Sequence, residues 1–276
     1  MLLICIESEV VNMRSLLSLA LSCIGFVVFS LCLTYLADAR LDPENLVALW
    51  LLDESKGNVA KDSSENGHDG TVMGAPRWID GKFGGAIDLT GGASVQVPDH
   101  ESLNFGTDSF TVVMWFNFPS AQDWNRLVRE RNPSPWGSGN YGWEIQTEGI
   151  QIHWSLDDAK GNHQRTTYPD VGDGEWHHTA MIVDRDRKLL VTYMDGAGEK
   201  TVNIANIGSV TDTLPITFGG GYAGAIDEVA IFKGILSLDD VVDVMNMGLS
   251  EAIITGKAVS PSAKLSITWG QVKNSE

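Results

Sequence analysis

Short apolar alternations, each ended by glycine, asparagine, aspartate or proline, run through the chain from Leu46 to Lys233. This pattern is typical of strands that bury one face, and many such segments in series favour an antiparallel sandwich or barrel. We predict twelve strands, at 46–52, 86–89, 94–97, 110–118, 126–130, 142–147, 149–156, 177–184, 188–194, 200–204, 216–218 and 224–233. No interval between 40 and 248 accommodates a strand followed by a long amphipathic helix, so βαβ nucleotide-binding folds are excluded.

One predicted hairpin has a clear inside and outside. Trp143 and Ile145 alternate before the turn expected at 147–149, and Ile152 and Trp154 continue the apolar parity after it. Large aromatics on that parity are interpreted as core rather than as a sugar-stacking array. The opposite face of the second strand then carries polar side chains, those of Gln151, His153 and Ser155.

A single short helix is predicted at 238–247. Ser237 with Asp240 three residues later forms a capping-box pattern, and Gly248 is a typical terminator. We expect this helix to lie against the edge of the sandwich. The predicted domain therefore spans 40–256, and residues 257–276 are interpreted as a tail.

Residues 1–39 have the composition of a signal peptide. Arg14 precedes an apolar run to Leu36, and Ala37 and Ala39 give a small-x-small cleavage pattern. Met13 is a candidate for the true start. The alternative is an uncleaved membrane anchor, since about twenty apolar residues span a bilayer. All three cysteines lie in this leader, so the mature domain has neither disulfides nor thiol chemistry.

Charge restricts the partners. The formal net charge is −17, and no Lys/Arg-rich run interrupts it. An acidic surface repels phosphate backbones, so nucleic acid is excluded as a partner. A membrane is expected as a partner only if the leader stays uncleaved.

Seven motifs follow one another between Leu46 and Gly248, at 49–53, 62–70, 81–89, 109–115, 174–180, 193–196 and 224–232. Together, and in this order, they resemble the bacterial laminin G-like (LamG) domains of the concanavalin A-like lectin/glucanase superfamily. The resemblance implies an all-β, antiparallel two-sheet jelly roll. It says much less about the ligand, because one fold hosts many functions.

A calcium site is one expectation. The first and last strands of a jelly roll commonly pair antiparallel, which would bring Asp53 near Asp227, and the loop at Asp62 is rich in oxygen donors. Carboxylates on flexible loops suit Ca²⁺, and the resemblance implies such a site in many members. The alternative is that these carboxylates only accept hydrogen bonds in turns or in the interior.

Catalysis is not expected. Retaining glucanases of this superfamily place two glutamates around an aspartate on one strand, with the carboxyls about 5 to 5.5 Å apart. The nearest match surrounds Asp227, where Ala225 and Val229 take the glutamate positions, and Glu144 and Glu148 are expected to be separated by a turn. We therefore predict a protein that is not an enzyme, with a degenerate glycoside hydrolase as the alternative.

The predicted recognition surface combines aromatic and arginine side chains with glycine- and proline-rich loops. Such side chains stack on sugar rings or bind acidic groups. The candidate ligand-binding residues are Trp124, Arg131, Trp136, Tyr141, Arg165 and Tyr168. An ordinary surface loop is the competing interpretation.

The sequence thus predicts a secreted or otherwise extracytoplasmic binding or adhesion module, at the cell surface or in the periplasm. Its expected ligand is a glycan or an extracellular protein, with possible calcium dependence. A membrane-anchored structural adhesion module is the further alternative.

Overall fold

The computed structural model describes residues 41–121, 123–131 and 141–259. The predicted leader and the tail beyond residue 259 lie outside them. Two α-helices follow sixteen strands in the described chain: α1 (Leu238–Met247) and α2 (Leu249–Val259). The strands are β1 (Leu46–Trp50), β2 (Val59–Ala60), β3 (Gly70–Met73), β4 (Arg77–Asp80), β5 (Gly85–Asp88), β6 (Ser94–Val97), β7 (Phe110–Asn117), β8 (Arg126–Arg131), β9 (Gly142–Glu148), β10 (Gln151–Asp157), β11 (His163–Tyr168), β12 (His177–Asp184), β13 (Leu189–Met194), β14 (Ala197–Asn203), β15 (Ile216–Gly219) and β16 (Ala225–Lys233).

The strands form two antiparallel sheets, as the resemblance implies. Sheet A has the order β14-β13-β12-β7-β16-β5-β4, with β1 also paired to β16, and sheet B has the order β11-β10-β9-β8-β15-β6-β3-β2. The predicted antiparallel pairing of the first and last strands is confirmed, because Trp50 on β1 opposes Val229 on β16.

The main core lies between the sheets. Trp50, Trp143 and Trp154 are completely buried there, which confirms the interpretation of the two hairpin tryptophans, Trp143 and Trp154, as core residues. Burial of each such side chain contributes about 1.5 to 3 kcal/mol or more, so the parity of these aromatics fixes which face of each strand points inward.

A second core covers the other side of sheet A. Val113, Ile182 and Phe232 project from that outer face and pack with Val241 of α1 and Ile253 of α2. The central strands of sheet A are thus apolar on both faces, and the helices cover the outer one. Two expectations were wrong: the helix lies on this face rather than at the sandwich edge, and a second helix follows it.

The predicted bounds and caps of α1 are confirmed. Ser237 Oγ accepts a hydrogen bond from the Asp240 amide, while an Asp240 carboxylate oxygen accepts one from the Ser237 amide. Neither helix within the described ranges is long and apolar enough to cross a membrane.

Candidate functional site

The outer face of sheet B is polar, in contrast to the helix-covered face of sheet A. Alternation on β8 to β11 turns apolar side chains into the core and leaves charged and polar ones outside. We call the following set the polar face: Arg126, Arg129, Arg131, Glu144, Gln146, Glu148, His153, Ser155, Asp157, His163, Arg165 and Thr167.

One row of this face crosses four neighbouring strands. The pairing registers place Arg129 opposite Glu144, Glu144 opposite Ser155, and Ser155 opposite Arg165. Directly opposed residues in antiparallel strands share a face, with Cβ atoms about 4.5 to 5.5 Å apart. The row is therefore continuous. Ser155 is buried, and its hydroxyl has no hydrogen-bond partner among the described residues.

Arg131 pairs with two carboxylates on the polar face. Its guanidinium contacts Glu144 on β9 and lies 3.2 Å from an Asp157 oxygen on β10. Burial raises the pKa of Glu144, and the charge of Arg131 opposes that rise. Because both carboxylates are buried, the shared arginine holds the two strands' polar groups in fixed positions.

Arg129 is different, because its guanidinium has no ion pair or hydrogen bond to another described residue. Burial, followed by the positive charge of Arg126, lowers the pKa of the Arg129 guanidinium. The buried Nε of Arg126 also lacks a hydrogen-bond partner among the described residues. The facing Glu144 opposes the fall in the Arg129 pKa, but Arg131 shares that carboxylate, so the partly buried cations on β8 favour an added anion beside them.

Trp124 lies over the β10 to β11 side of the polar face. Its ring stacks on His153 with centroids 5.8 Å apart and planes inclined by 24°. The Arg165 guanidinium lies 6.0 Å from the centroid of the Trp124 ring. Burial and the neighbouring Arg165 charge lower the pKa of His153, so this imidazole is neutral near pH 7. The result is an aromatic surface beside a cation.

Strand β9 places Glu144, Gln146 and Glu148 on the same face. The expectation that a turn separates the two glutamates was wrong, because the strand continues to Glu148 and the turn is at Gly149 and Ile150. This spacing matches the glutamate pair of the glucanases, but Gln146 stands where they have aspartate. Glu144 is paired with Arg131 rather than with a second carboxyl.

The ligand-binding residues predicted from sequence divide between two environments. Trp124, Arg131 and Arg165 lie at or on the polar face. Tyr141 immediately precedes β9 and is half-buried, whereas Trp136 lies outside the described residues. Tyr168 turns toward the core, where its ring meets the edge of Trp154 at 5.7 Å.

Sequence reasoning missed the centre of the polar face. Arg126, Glu144 and Gln146 were each attributed to a strand, but none was assigned to the recognition surface. The alternation along β8 and β9 indicates that these side chains point outward, once Trp143 on β9 is known to point into the core.

Two of the predicted calcium ligands, Asp53 after β1 and Asp227 on β16, accept hydrogen bonds from the turn between β4 and β5. Asp53 Oδ1 accepts a 2.6 Å hydrogen bond from the Gly85 amide, and Asp227 Oδ2 accepts bonds from the amides of Lys82 and Phe83 at 2.8 and 3.0 Å. Burial raises the pKa of Asp227 to about 8. Asp227 Oδ1 is buried without a hydrogen-bond partner among the described residues.

Asp62 belongs to another loop. Its carboxylate accepts from the amides of Leu49, Ser64 and His68 at 2.8 to 3.0 Å. Over the described ranges, no group of three or more His, Cys, Asp or Glu side chains could hold a metal ion. The three carboxylates are thus not assembled into one site, and calcium binding stays a prediction.

A family model described as the concanavalin A-like lectin/glucanases superfamily, of laminin G type, matches residues 89–242. The non-toxic nonhemagglutinin type E of Clostridium botulinum is 24% identical over 188 residues, which cover 65% of this chain and 15% of that protein. The chain therefore spans only a small part of that relative.

Three solved structures share the fold. The binding domain of Paraclostridial Mosquitocidal Protein 1 has a TM-score of 0.63 at 20% identity, covering 74% of this chain and 52% of that one. The binding domain of botulinum neurotoxin DC in complex with rat synaptotagmin II has a TM-score of 0.60 at 15% identity, covering 75% and 52%. The serotype D ligand binding domain with N-acetylneuraminic acid has a TM-score of 0.57 at 14% identity, covering 74% and 51%.

The family match covers more than half of the chain, and the two sheets have the expected architecture. The chain belongs to the concanavalin A-like lectin/glucanases superfamily, through a laminin G-type domain.

Proposed function

We propose that the protein is a non-enzymatic binding module that recognises a glycan or a cell-surface protein through the polar face of sheet B. The observation that carries this proposal is the Trp124 ring, stacked on His153 beside Arg165. An aromatic surface next to a guanidinium is well suited to stacking on a sugar ring and to binding polar or acidic groups.

The relatives support a binding role in general terms. Two solved structures that share the fold are binding domains, one in complex with synaptotagmin II and one with N-acetylneuraminic acid. At 15% and 14% identity these likenesses concern the fold, so both ligand classes enter here as proposals.

We place the protein outside the cytoplasm as part of this proposal. The support is the signal-peptide pattern of residues 1–39, followed directly by a cysteine-free domain. Mass measurement of the purified native protein tests it. A mass that starts at Arg40 supports secretion, whereas a retained leader supports the anchored alternative.

A glycan array combined with pull-down from cell-surface extracts tests the binding function. We expect selective retention of one ligand class and its loss in Arg165→Ala, because Arg165 is exposed and lies at the rim of the polar face. Arg187→Ala is the matched control, since Arg187 is also exposed but follows β12 in sheet A. Equal loss in both variants would contradict a site on sheet B.

Glycoside hydrolysis is the second candidate, favoured by the shared face of Glu144 and Glu148 on β9. The Arg131 contact at Glu144 and the glutamine between the two glutamates argue against it. We expect the pure protein to release no reducing sugar from β-glucans. Release of reducing sugar by the parent that disappears in Glu148→Gln would show that the protein is a glycoside hydrolase and would contradict the non-enzymatic proposal.

A further inference from the structure

The geometry points to an anionic sugar as the ligand, namely a glycan bearing a carboxylate or a sulfate that Arg129 receives. This inference rests on the proposed function, because it names the ligand class of the same polar face.

The positive charges on β8 are the first reason to expect an anionic ligand. Arg131 is engaged by Glu144 and Asp157, whereas Arg129 has no ion pair to a described residue. Both Arg126 and Arg129 face outward, because a bulge between Arg126 and Val128 keeps them on one face. The strand therefore presents two guanidinium groups that have no ion pair to a described residue and that share the facing Glu144 with Arg131, on a chain whose net charge is −17. A local anion is favoured there, while long polyanions are repelled by the remaining surface.

The neighbouring strands supply contacts for the rest of a sugar. The buried Ser155 hydroxyl lies in the same row as Arg129 and has no hydrogen-bond partner among the described residues. A buried hydroxyl without a partner is costly, so a ligand oxygen bonded there is favourable. The Trp124 ring, which stacks on His153, lies beside Arg165 at the far end of the row.

The distance along the row suits a saccharide. Arg129 and Arg165 stand on strands three intervals apart, which corresponds to about 14 Å at the usual strand spacing. That length exceeds one sugar ring. An acidic group at Arg129 and a stacked ring at Trp124 would thus belong to different units of one oligosaccharide.

Matched charged and neutral probes test this inference by calorimetry on the full chain. The carboxylate arm compares trigalacturonate with its methyl ester, and the sulfate arm compares 3′-sulfated lactose with lactose. We expect at least one charged probe to bind about tenfold or more tightly than its neutral counterpart. The arm in which the preference occurs identifies the anion.

Three variants locate the preference. Arg129→Gln is expected to remove it, and Arg165→Gln is expected to weaken charged-probe binding several-fold. Arg187→Gln removes one positive charge from a hairpin of sheet A and should leave affinity unchanged. Arg165 is exposed, so its variant keeps the test valid even if Arg129→Gln fails to fold.

Equal affinity for charged and neutral probes would overturn the inference while leaving a glycan-binding function intact. A charge preference that survives in Arg129→Gln and Arg165→Gln would overturn it as well. If none of the four probes binds, the inference fails, and the glycan array with pull-down then decides the proposed function separately.

Discussion

Trp143 Nε1 donates a 2.7 Å hydrogen bond to Oε2 of Glu130 inside the sandwich. Burial raises the pKa of this carboxyl from 4.5 to about 9, because the ionised form loses its hydration there. The folded protein therefore holds a proton that the unfolded chain releases near pH 4.5. The stability that this proton supplies is fully present below that pH and is lost as the pH rises toward 9.

Glu130→Gln removes this titration and keeps an oxygen that can accept from the indole. We expect the variant to be more stable than the parent at pH 9, by on the order of a few kcal/mol, since one pKa unit corresponds to about 1.36 kcal/mol. Near pH 4.5 the difference should vanish. Urea unfolding across pH 4.5 to 9 measures it, with the exposed Glu251→Gln as control. Parallel pH profiles for parent and variant would contradict a buried, protonated Glu130.

Gly84 is required where Asp53 holds the turn before β5. Its φ is +60°, and a Cβ there would lie 2.2 Å from Asp53 Oδ1. Gly57 is also left-handed, at φ +104°, but a Cβ there meets nothing within 4 Å. We expect Gly84→Ala to cost about 1 to 3 kcal/mol of unfolding free energy beyond the cost of Gly57→Ala. Equal midpoints in chemical denaturation would show that the turn does not depend on the Asp53 contact.

The capping box stabilises α1, one of the two helices that pack on the outer face of sheet A. Ser237→Ala removes the Oγ that accepts from the Asp240 amide over 3.1 Å. We expect a loss of about 1 kcal/mol, the usual cost of deleting a serine cap. Thermal unfolding measures it, with the exposed Ser55→Ala as the comparison. A midpoint unchanged from that of Ser55→Ala would mean that α1 contributes little to global stability.

Ligand binding is expected to be independent of calcium. None of Asp53, Asp62 and Asp227 lies on β8 to β11, which carry the polar face. Affinity for the selected ligand should therefore be the same in EDTA and in millimolar calcium. A loss of affinity in EDTA that Asp53→Asn and Asp227→Asn reproduce would instead support the predicted calcium site.

All twelve strands predicted from apolar alternation occur in the structure, and all of them except β14 bury side chains in a core. The four that were missed lack that signal. β2 has two residues, β3 begins with a glycine, and β4 is largely exposed at a sheet edge. β11, with the sequence HQRTTY, is another edge strand and carries mostly polar side chains. Such strands are specified by pairing with neighbours rather than by their own periodicity.

The site was less accessible to sequence reasoning than the fold. The rim residues Trp124 and Arg165 were named as candidates from their side-chain chemistry. The central row was not, because the registers of β8, β9 and β10 bring together residues separated by up to 36 positions in the chain, such as Arg129 and Arg165. The sequence prediction placed the turn after β9 at 147–149, whereas β9 extends to Glu148. The prediction therefore did not show that Glu144 and Glu148 share one face.

The most direct test of the account is the affinity of Trp124→Ala for the ligand selected on the array, measured beside Trp176→Ala. Trp176 is also half-buried but precedes β12 of sheet A, so it controls for the loss of an aromatic side chain. The account predicts that Trp124→Ala binds about tenfold or more weakly while Trp176→Ala binds like the parent. Unchanged affinity in Trp124→Ala, with a loss in Trp176→Ala, would contradict a binding site on the polar face of sheet B.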